Sequence, residues 1–192
     1  MVQKHDSCTI EMAEAATHSS LVGQATVFRY WGATPPRIEA RCIFCRIARG
    51  TSRPGVREQG SLLASTPRCA CFADIAPAAA GHLLVVPREH IKNWAHFEPT
   101  DEHIALVREM KEVGLAEMRK AHPGHDVSHL RLGFIRPPWN SVHHVHMHVQ
   151  TRPLRPDVGV LHRLGFSYSL FFITVDEVLA DLERRRGRGS CL

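Results

Sequence analysis

Along the chain, short stretches of period-two alternation are set around one long helical stripe and joined by polar, Pro- and Gly-bearing connectors. The clearest alternation is His144-Val145-His146-Met147-His148-Val149. As a strand, it puts three imidazoles on one face and Val, Met and Val on the other, with His143 on the face opposite the imidazoles. Same-face neighbours then lie about 6.5–7 Å apart, close enough to surround one small anion. A helix would scatter the same residues around its circumference. Arg68–Asp74 also alternates, with Cys69, Cys71 and Ala73 on one face and Ala70, Phe72 and Asp74 on the other. His82-Leu83-Leu84-Val85-Val86-Pro87 is continuously apolar, as in a strand buried on both faces and ended by proline. Ser61–Ser65 and Leu130–Arg136 read as two further strands, and the histidine stretch at 143–150 as the fifth.

The helical stripe is Ile104, Val107, Met110, Gly114 and Met118, which predicts a helix over 101–121. Thr100 suits its N-cap, Asp101 and Glu102 its positive end, Arg119 and Lys120 its negative end, and Pro123-Gly124 its stop. Thr174-Val175-Asp176-Glu177 is a capping-box pattern that opens a last helix to about Arg185. Residues 1–40 lack periodicity and read as a disordered or loosely attached extension, and 50–60 as a loop. The order predicts an α+β domain: a five-stranded antiparallel sheet, one long crossing helix and a C-terminal helical appendage.

Composition narrows the class. The 192 residues, 44% hydrophobic and 22% charged, suit one ordinary globular core. No apolar run approaches the roughly 20 residues that cross a bilayer, so no membrane association is expected. Lys4, Asp6, Glu11 and Glu14 argue against a secretory signal or transit peptide. Much of the +5 formal charge comes from Arg184, Arg185, Arg186 and Arg188. Such a run is expected to be a solvated tail and is a weak sign of nucleic-acid binding. The cysteines at 8, 42, 45, 69, 71 and 191 lack the dense spacing of a disulfide scaffold, which points to a reducing compartment, cytosol or nucleus.

The histidine strand has three readings. A neutral imidazole is a good nucleophile, and neighbouring imidazoles can stabilise a phosphoryl group, which favours catalysis at phosphorus. Metal binding is the second reading, and a chance cluster on a solvated face the third. Cys42-x-x-Cys45 has the spacing of half a zinc site, for which His90 and His144 are the best further ligands; otherwise it is two reduced thiols packed beside Ile43 and Phe44. Asp74 is either a turn-initiating carboxylate or the acceptor for a ribose diol. His82, after Gly81, is by itself only a polar residue at a strand edge.

His144-Val145-His146-Met147-His148-Val149-Gln150 resembles the histidine triad motif, His-φ-His-φ-His-φ-φ. Cys-Ile-Phe-Cys-Arg-Ile at 42–47, Phe-Ala-Asp-Ile at 72–75 and His-Leu-Leu-Val-Val-Pro-Arg-Glu-His-Ile at 82–91 resemble the family's other blocks, in the right order. Leu132-Gly133-Phe134, Pro137-Pro138-Trp139 and Phe171-Phe172-Ile173-Thr174 are most similar to the third branch of histidine triad nucleotide-binding proteins. The resemblance covers about 41–153, with 154–186 a C-terminal extension packed on the domain or dimer and 187–192 a basic tail. It implies a homodimer with a continuous sheet, and hydrolysis of purine-nucleotide conjugates at the α-phosphorus. His146 would be the nucleophile, His148 the phosphate partner and proton carrier, His144 a positioning residue, and His82 a further active-site histidine. Asp74, Ile75, Ser141, His144, His146 and His148 would bind nucleotide. Cys42, Cys45, His90 and His144 would hold a structural zinc, and the chemistry itself would need no cofactor. Two departures stand out: Gln150 where the family prefers an apolar residue, expected to matter little at a strand end, and Pro137-Pro138-Trp139-Asn140 in place of a glycine-rich approach.

The leading reading is hydrolysis of adenosine 5′-monophosphoramidates to AMP and an amine. The competing ones are a dinucleotide polyphosphate hydrolase or nucleotidyl transferase, and a zinc-stabilised nucleotide- or RNA-binding module without turnover. A transferase of the galactose-phosphate type would carry Gln where His148 stands, which favours hydrolysis.

Overall fold

A computed structural model describes residues 39–51, 62–124, 126 and 129–189. Residues 1–38 of the predicted extension and most of the 50–60 loop lie outside them. Six strands, β1 (Leu62–Ser65), β2 (Cys69–Ala73), β3 (His82–Pro87), β4 (Arg131–Ile135), β5 (Met147–Gln150) and β6 (Phe172–Thr174), form one antiparallel sheet in the order β1-β2-β3-β5-β4-β6. The α+β class is as predicted. The sheet has a sixth strand because Phe172–Thr174 adds to the outer side of β4.

Alternation decides what each face carries. Cys69, Cys71, Leu83, Val85, Met147 and Val149 face helix α2 (Asp101–Ala121) and helix α4 (Val175–Gly189), with Ile104, Val107, Met110 and Leu182, in the larger core. Ala70, Phe72, Leu84 and Val86 face the other way, onto Phe44, Ile47 and Ala48 of helix α1 (Ile43–Arg49). His82, His148 and Gln150 share that second face by the same period. The apolar half of the histidine strand is therefore a core stripe, and its drive to stay buried aims the imidazoles at the opposite layer.

Helix α2 has the predicted bounds. Thr100 Oγ1 accepts from the His103 N–H at 3.3 Å. Gly114 sits where α2 crosses the sheet: a Cβ there would lie 2.6 Å from Val149 Cγ2, so the close approach needs glycine. Helix α4 opens on the predicted box, with Glu177 Oε2 accepting from the Thr174 N–H at 2.7 Å and Thr174 Oγ1 accepting from the Glu177 N–H at 3.2 Å. It runs to Gly189, past the expected end near Arg185. Arg184, Arg185 and Arg186 are thus helical and not tail: Arg184 and Arg185 pair with Asp181, and Arg186 with Asp101.

The strand predicted at 143–150 begins only at Met147. Before it, the backbone departs from the ladder, and the Val145 N–H donates to the Ile91 carbonyl at 2.6 Å. Helices α1 and α3 (Val160–Ser167) had no counterpart in the pattern reading. Both are short, and their apolar positions are too few for a period to stand out.

Candidate active site

Two clusters of titratable side chains form where the end of β3, the approach to β5 and helix α1 meet. The first contains Cys42, Cys45, His90 and His144, whose ligand atoms all lie within 4.8 Å of one another. Cys42 is the N-cap of α1 and Cys45 lies one turn on, so the helix turns both thiols to one side. His144 Nδ1 is 3.4 Å from each sulfur, and His90 Nδ1 is 3.3 Å from Cys45 Sγ. These are close to the edges of a tetrahedron built on typical zinc–sulfur and zinc–nitrogen bonds, about 3.4–3.8 Å. The far ring nitrogens are tied: His144 Nε2–H donates to the Pro87 carbonyl at 3.0 Å, and His90 Nε2–H to Glu39 at 2.9 Å. Both Nδ1 lone pairs are left facing the thiols, the second-sphere arrangement that orients metal-binding histidines. Burial pushes the Cys45 thiol up to about 11 and the His144 imidazole down to about 4. The donor set therefore fits a closed structural zinc, which would replace the thiol protons.

The second cluster contains His146, His148, His82, Asp74 and Gln150, and backbone groups fix its protons. His146 Nδ1 lies 2.7 Å from the His144 carbonyl, so Nδ1 carries the hydrogen and Nε2 keeps its lone pair. The Ala78 N–H donates to His82 Nδ1 at 3.0 Å, so the His82 hydrogen is on Nε2. That N–H is 2.9 Å from His148 Nδ1, which must accept, placing the His148 hydrogen on Nε2. His148 Nε2 is buried and has no hydrogen-bond partner among the described residues. The triad therefore presents a bare nitrogen at His146 and an N–H at His148.

Gln150, fully buried, adds a second acceptor to this chain. Its amide lies 3.0 Å from His82 Nε2. Two donors cannot face each other, so the amide turns its oxygen to His82; in the opposite sense that oxygen has no donor. Asp74 Oδ2, 3.3 Å from His82 Nε2, is a third acceptor, while Asp74 Oδ1 accepts from the Ala76 N–H at 2.8 Å. Burial is the main cause that lowers all three imidazoles: His82 to about 4 against the raising charge of Asp74, His146 below its ordinary range, and His148 well below it. All are neutral at pH 7, the state a nucleophile needs.

A cavity of about 480 Å³ opens on these groups, within the range of small-molecule sites. His82, His146 and His148 line it, Asp74, Ile75 and Ala76 reach it from the β2–β3 loop, and Ser141 from the segment before the triad. Helix α3 forms a roof through Leu161, His162, Leu164, Gly165 and Phe166. The Phe166 ring stands edge-on to His148 at 4.9 Å and to His82 at 5.4 Å. Arginines pin that roof by its end. Arg152 donates to the Phe166 carbonyl at 2.8 Å, Arg131 to Ser167 O at 3.3 Å, and Arg136 to Ser169 O at 3.0 Å. Cations bonded to the last carbonyls of a helix also suit its dipole.

Each candidate from the sequence has a place here. Cys42, Cys45, His90 and His144 meet in the first cluster; Asp74, Ile75, His82, Ser141, His146 and His148 meet in the second or its cavity. His144 was assigned to both sets, but its ring does not line the cavity; the backbone leaves the ladder before Met147, and the ring turns to the thiols. His143 is exposed and joins neither. Pattern reading missed Gln150 as part of the site. Its one signal was a polar residue at a motif position that is otherwise apolar. The roof was missed as well: nothing local to 160–167 says which element it covers.

A family model described as the scavenger mRNA decapping enzyme C-terminal binding family matches residues 41–159. The chain belongs to the histidine triad family. It is 38% identical over 146 residues to an adenosine 5′-monophosphoramidase of Xenopus tropicalis, covering 74% of this chain and 87% of that one. It is also 38% identical over 119 residues to a bifunctional adenosine 5′-phosphosulfate phosphorylase/adenylylsulfatase of Arabidopsis thaliana, covering 62% of this chain and 75% of that one. Among solved structures, a histidine triad family hydrolase from Clostridium thermocellum shares the fold with a TM-score of 0.51 at 21% identity, covering 64% of this chain and 96% of that one.

Proposed function

We propose that the protein is an adenosine 5′-monophosphoramidase, a hydrolase that releases AMP and a free amine from AMP–amine conjugates. The observation that carries this is the opposed protonation of two histidines in one cavity: a lone pair on His146 Nε2 and an N–H on His148 Nε2. In the first half-reaction His146 Nε2 bonds to the α-phosphorus and the P–N bond breaks, its electron pair going to the amine nitrogen. The bound phosphate favours a doubly protonated His148, because the His82 N–H can shift its bond to the Gln150 oxygen and Asp74, freeing His148 Nδ1 to take up a proton from solvent as substrate binds. His148 Nε2 then gives its proton to the departing amine. In the second half-reaction water attacks phosphorus, its proton passes to His148 Nε2, and the electron pair of the P–N(His146) bond returns to His146. AMP leaves, the added proton on His148 Nδ1 returns to solvent, and the histidines are restored. Asp74 and Ile75 would hold the nucleoside, and Ser141 would lie by the leaving group. The relative named as an adenosine 5′-monophosphoramidase supports the substrate class.

Zinc on Cys42, Cys45, His90 and His144 is part of the proposal, and its chemistry would be structural. No catalytic step is assigned to it. It would tie α1 to the backbone that bonds His146 through the His144 carbonyl. The homodimer also belongs here, with one condition: β6 fills the outer edge of β4, so a continuous sheet would have to join through β1 or β6. The free thiols of the described cysteines suit the cytosol or nucleus.

Mass spectrometry of protein quenched during turnover of an AMP phosphoramidate should find an adenylyl group on His146. His146→Ala should lose the adduct and at least about a thousandfold in kcat. An adduct elsewhere, or turnover undiminished in His146→Ala, would sink the mechanism.

A further inference from the structure

Two buried polar atoms near the triad have no hydrogen-bond partner among the described residues: Trp94 Nε1 and Asn140 Oδ1. Such atoms are rare in folded proteins, because an unpaired buried group keeps none of the hydrogen bonds it made with water. Asn140 cannot turn its amide over to find a partner. Its Nδ2–H donates to the Val142 carbonyl at 3.1 Å, and in the opposite sense two oxygens would face each other. Trp94 is held as well. Asn93 Oδ1 accepts from the Ala95 N–H at 3.0 Å and opens the 3-10 turn Trp94–His96, and the Arg136 guanidinium carbon lies 5.4 Å from the centroid of the indole ring.

Both residues line one void of about 10 Å³, and His144, Val145 and His146 line it too. That is room for about one water molecule. The two unpaired groups are of opposite kinds, a donor and an acceptor. An anion would suit only the indole N–H, and a cation only the amide oxygen. Water suits both, accepting from Trp94 Nε1–H and donating to Asn140 Oδ1.

We propose that one water is bound between Trp94 and Asn140, and that through it the two side chains are positioning residues for His146. The stretch from Asn140 to His146 precedes β5 and has no strand ladder to hold it. Its tie by backbone is the Val145 N–H to the Ile91 carbonyl. The water adds a second tie to the same segment after β3, on the wall where the His144 carbonyl holds His146 Nδ1–H. It also gives Asn140 a task in the Pro137-Pro138-Trp139-Asn140 approach, where a glycine would offer no side-chain oxygen. The effect on His146 rests on the phosphoramidase reading; the water itself does not.

A crystal structure of the full chain, at a resolution that shows ordered water, should have one water within about 3.2 Å of both Trp94 Nε1 and Asn140 Oδ1. No density there, or a direct bond between the two side chains, would overturn the proposal. Kinetics on an AMP phosphoramidate tests the positioning. Trp94→Phe, which keeps a ring under Arg136 and loses the N–H, should lower kcat by about tenfold and change KM less than about twofold. Added to Asn140→Leu, the same change should lower kcat by less than about a further twofold, because the shared water is already lost. A full tenfold further loss, an unchanged kcat in Trp94→Phe, or an effect confined to KM would overturn the positioning role. Absence of turnover in the unmutated chain would overturn the phosphoramidase reading and the positioning role with it, and the crystal density would still decide the water.

Discussion

His82 carries one N–H toward three acceptors: His148 Nδ1, the Gln150 oxygen and Asp74. With only His148 available, that N–H would oppose any proton arriving at His148 Nδ1. Gln150 removes the conflict, so its weight should fall on the chemical step and not on binding. Gln150→Met keeps the volume and loses the acceptor. It should lower kcat by about tenfold, about 1.4 kcal/mol, and change KM less than about twofold. Gln150→Glu, which still offers an oxygen, should recover most of the loss. Steady-state kinetics on one AMP phosphoramidate decides this, and an unchanged kcat in Gln150→Met would leave Gln150 only a packing role. The polar break in the motif was visible in the sequence. Its consequence was not, because only strand pairing sets Gln150 opposite His82.

Among the elements, α3 depends most on its neighbours. Its eight residues are too few to be stable alone, and Phe166 is its only fully buried side chain. The arginines that bond the Phe166, Ser167 and Ser169 carbonyls hold the roof in place from β4, the segment after it and the segment after β5. Removing the Arg152 side chain leaves the Phe166 carbonyl without that donor, at a cost of about 1–3 kcal/mol to local closure. Arg152→Ala should therefore raise KM by about fivefold or more, with the thermal midpoint lowered only slightly, and show faster amide hydrogen exchange at 160–167. Unchanged exchange there would mean that the arginine does not secure the roof. Helix α2 is the contrasting case. Its length, cap and apolar stripe are all local, and its predicted bounds match the structure.

At the scale of the molecule, the two clusters are coupled through three residues of backbone. His144 offers its ring to the thiols and its carbonyl to His146, so whatever fixes the first cluster also orients the nucleophile. The full chain should carry about one zinc per protomer by elemental analysis, and Cys42→Ser should lose it. Chelation should lower the thermal midpoint by about 10 °C, because a ligand bound only to the folded state adds its binding energy to stability. A chain with no bound zinc after expression in zinc-supplemented medium, and a midpoint indifferent to chelator, would remove the metal from the account.

The sequence by itself determined the local and periodic features. Alternation put the histidines opposite Val145, Met147 and Val149, the stripe and cap defined α2, and the spacing of Cys42 and Cys45 was that of half a zinc site. These follow from forces between residues close in the chain, or from one face that must be buried. Tertiary structure alone decided three things. His144 left the strand ladder for the thiols, because the Ile91 carbonyl holds the Val145 N–H. Each histidine took its tautomer from a backbone group or a ring brought beside it: the His144 carbonyl for His146, the Ala78 N–H for His82, and His82 in turn for His148. The 160–167 segment became a helix over the cavity because arginines remote in sequence bond its end. Protons and roofs are set by contacts between distant segments, and those contacts exist only once the chain has folded.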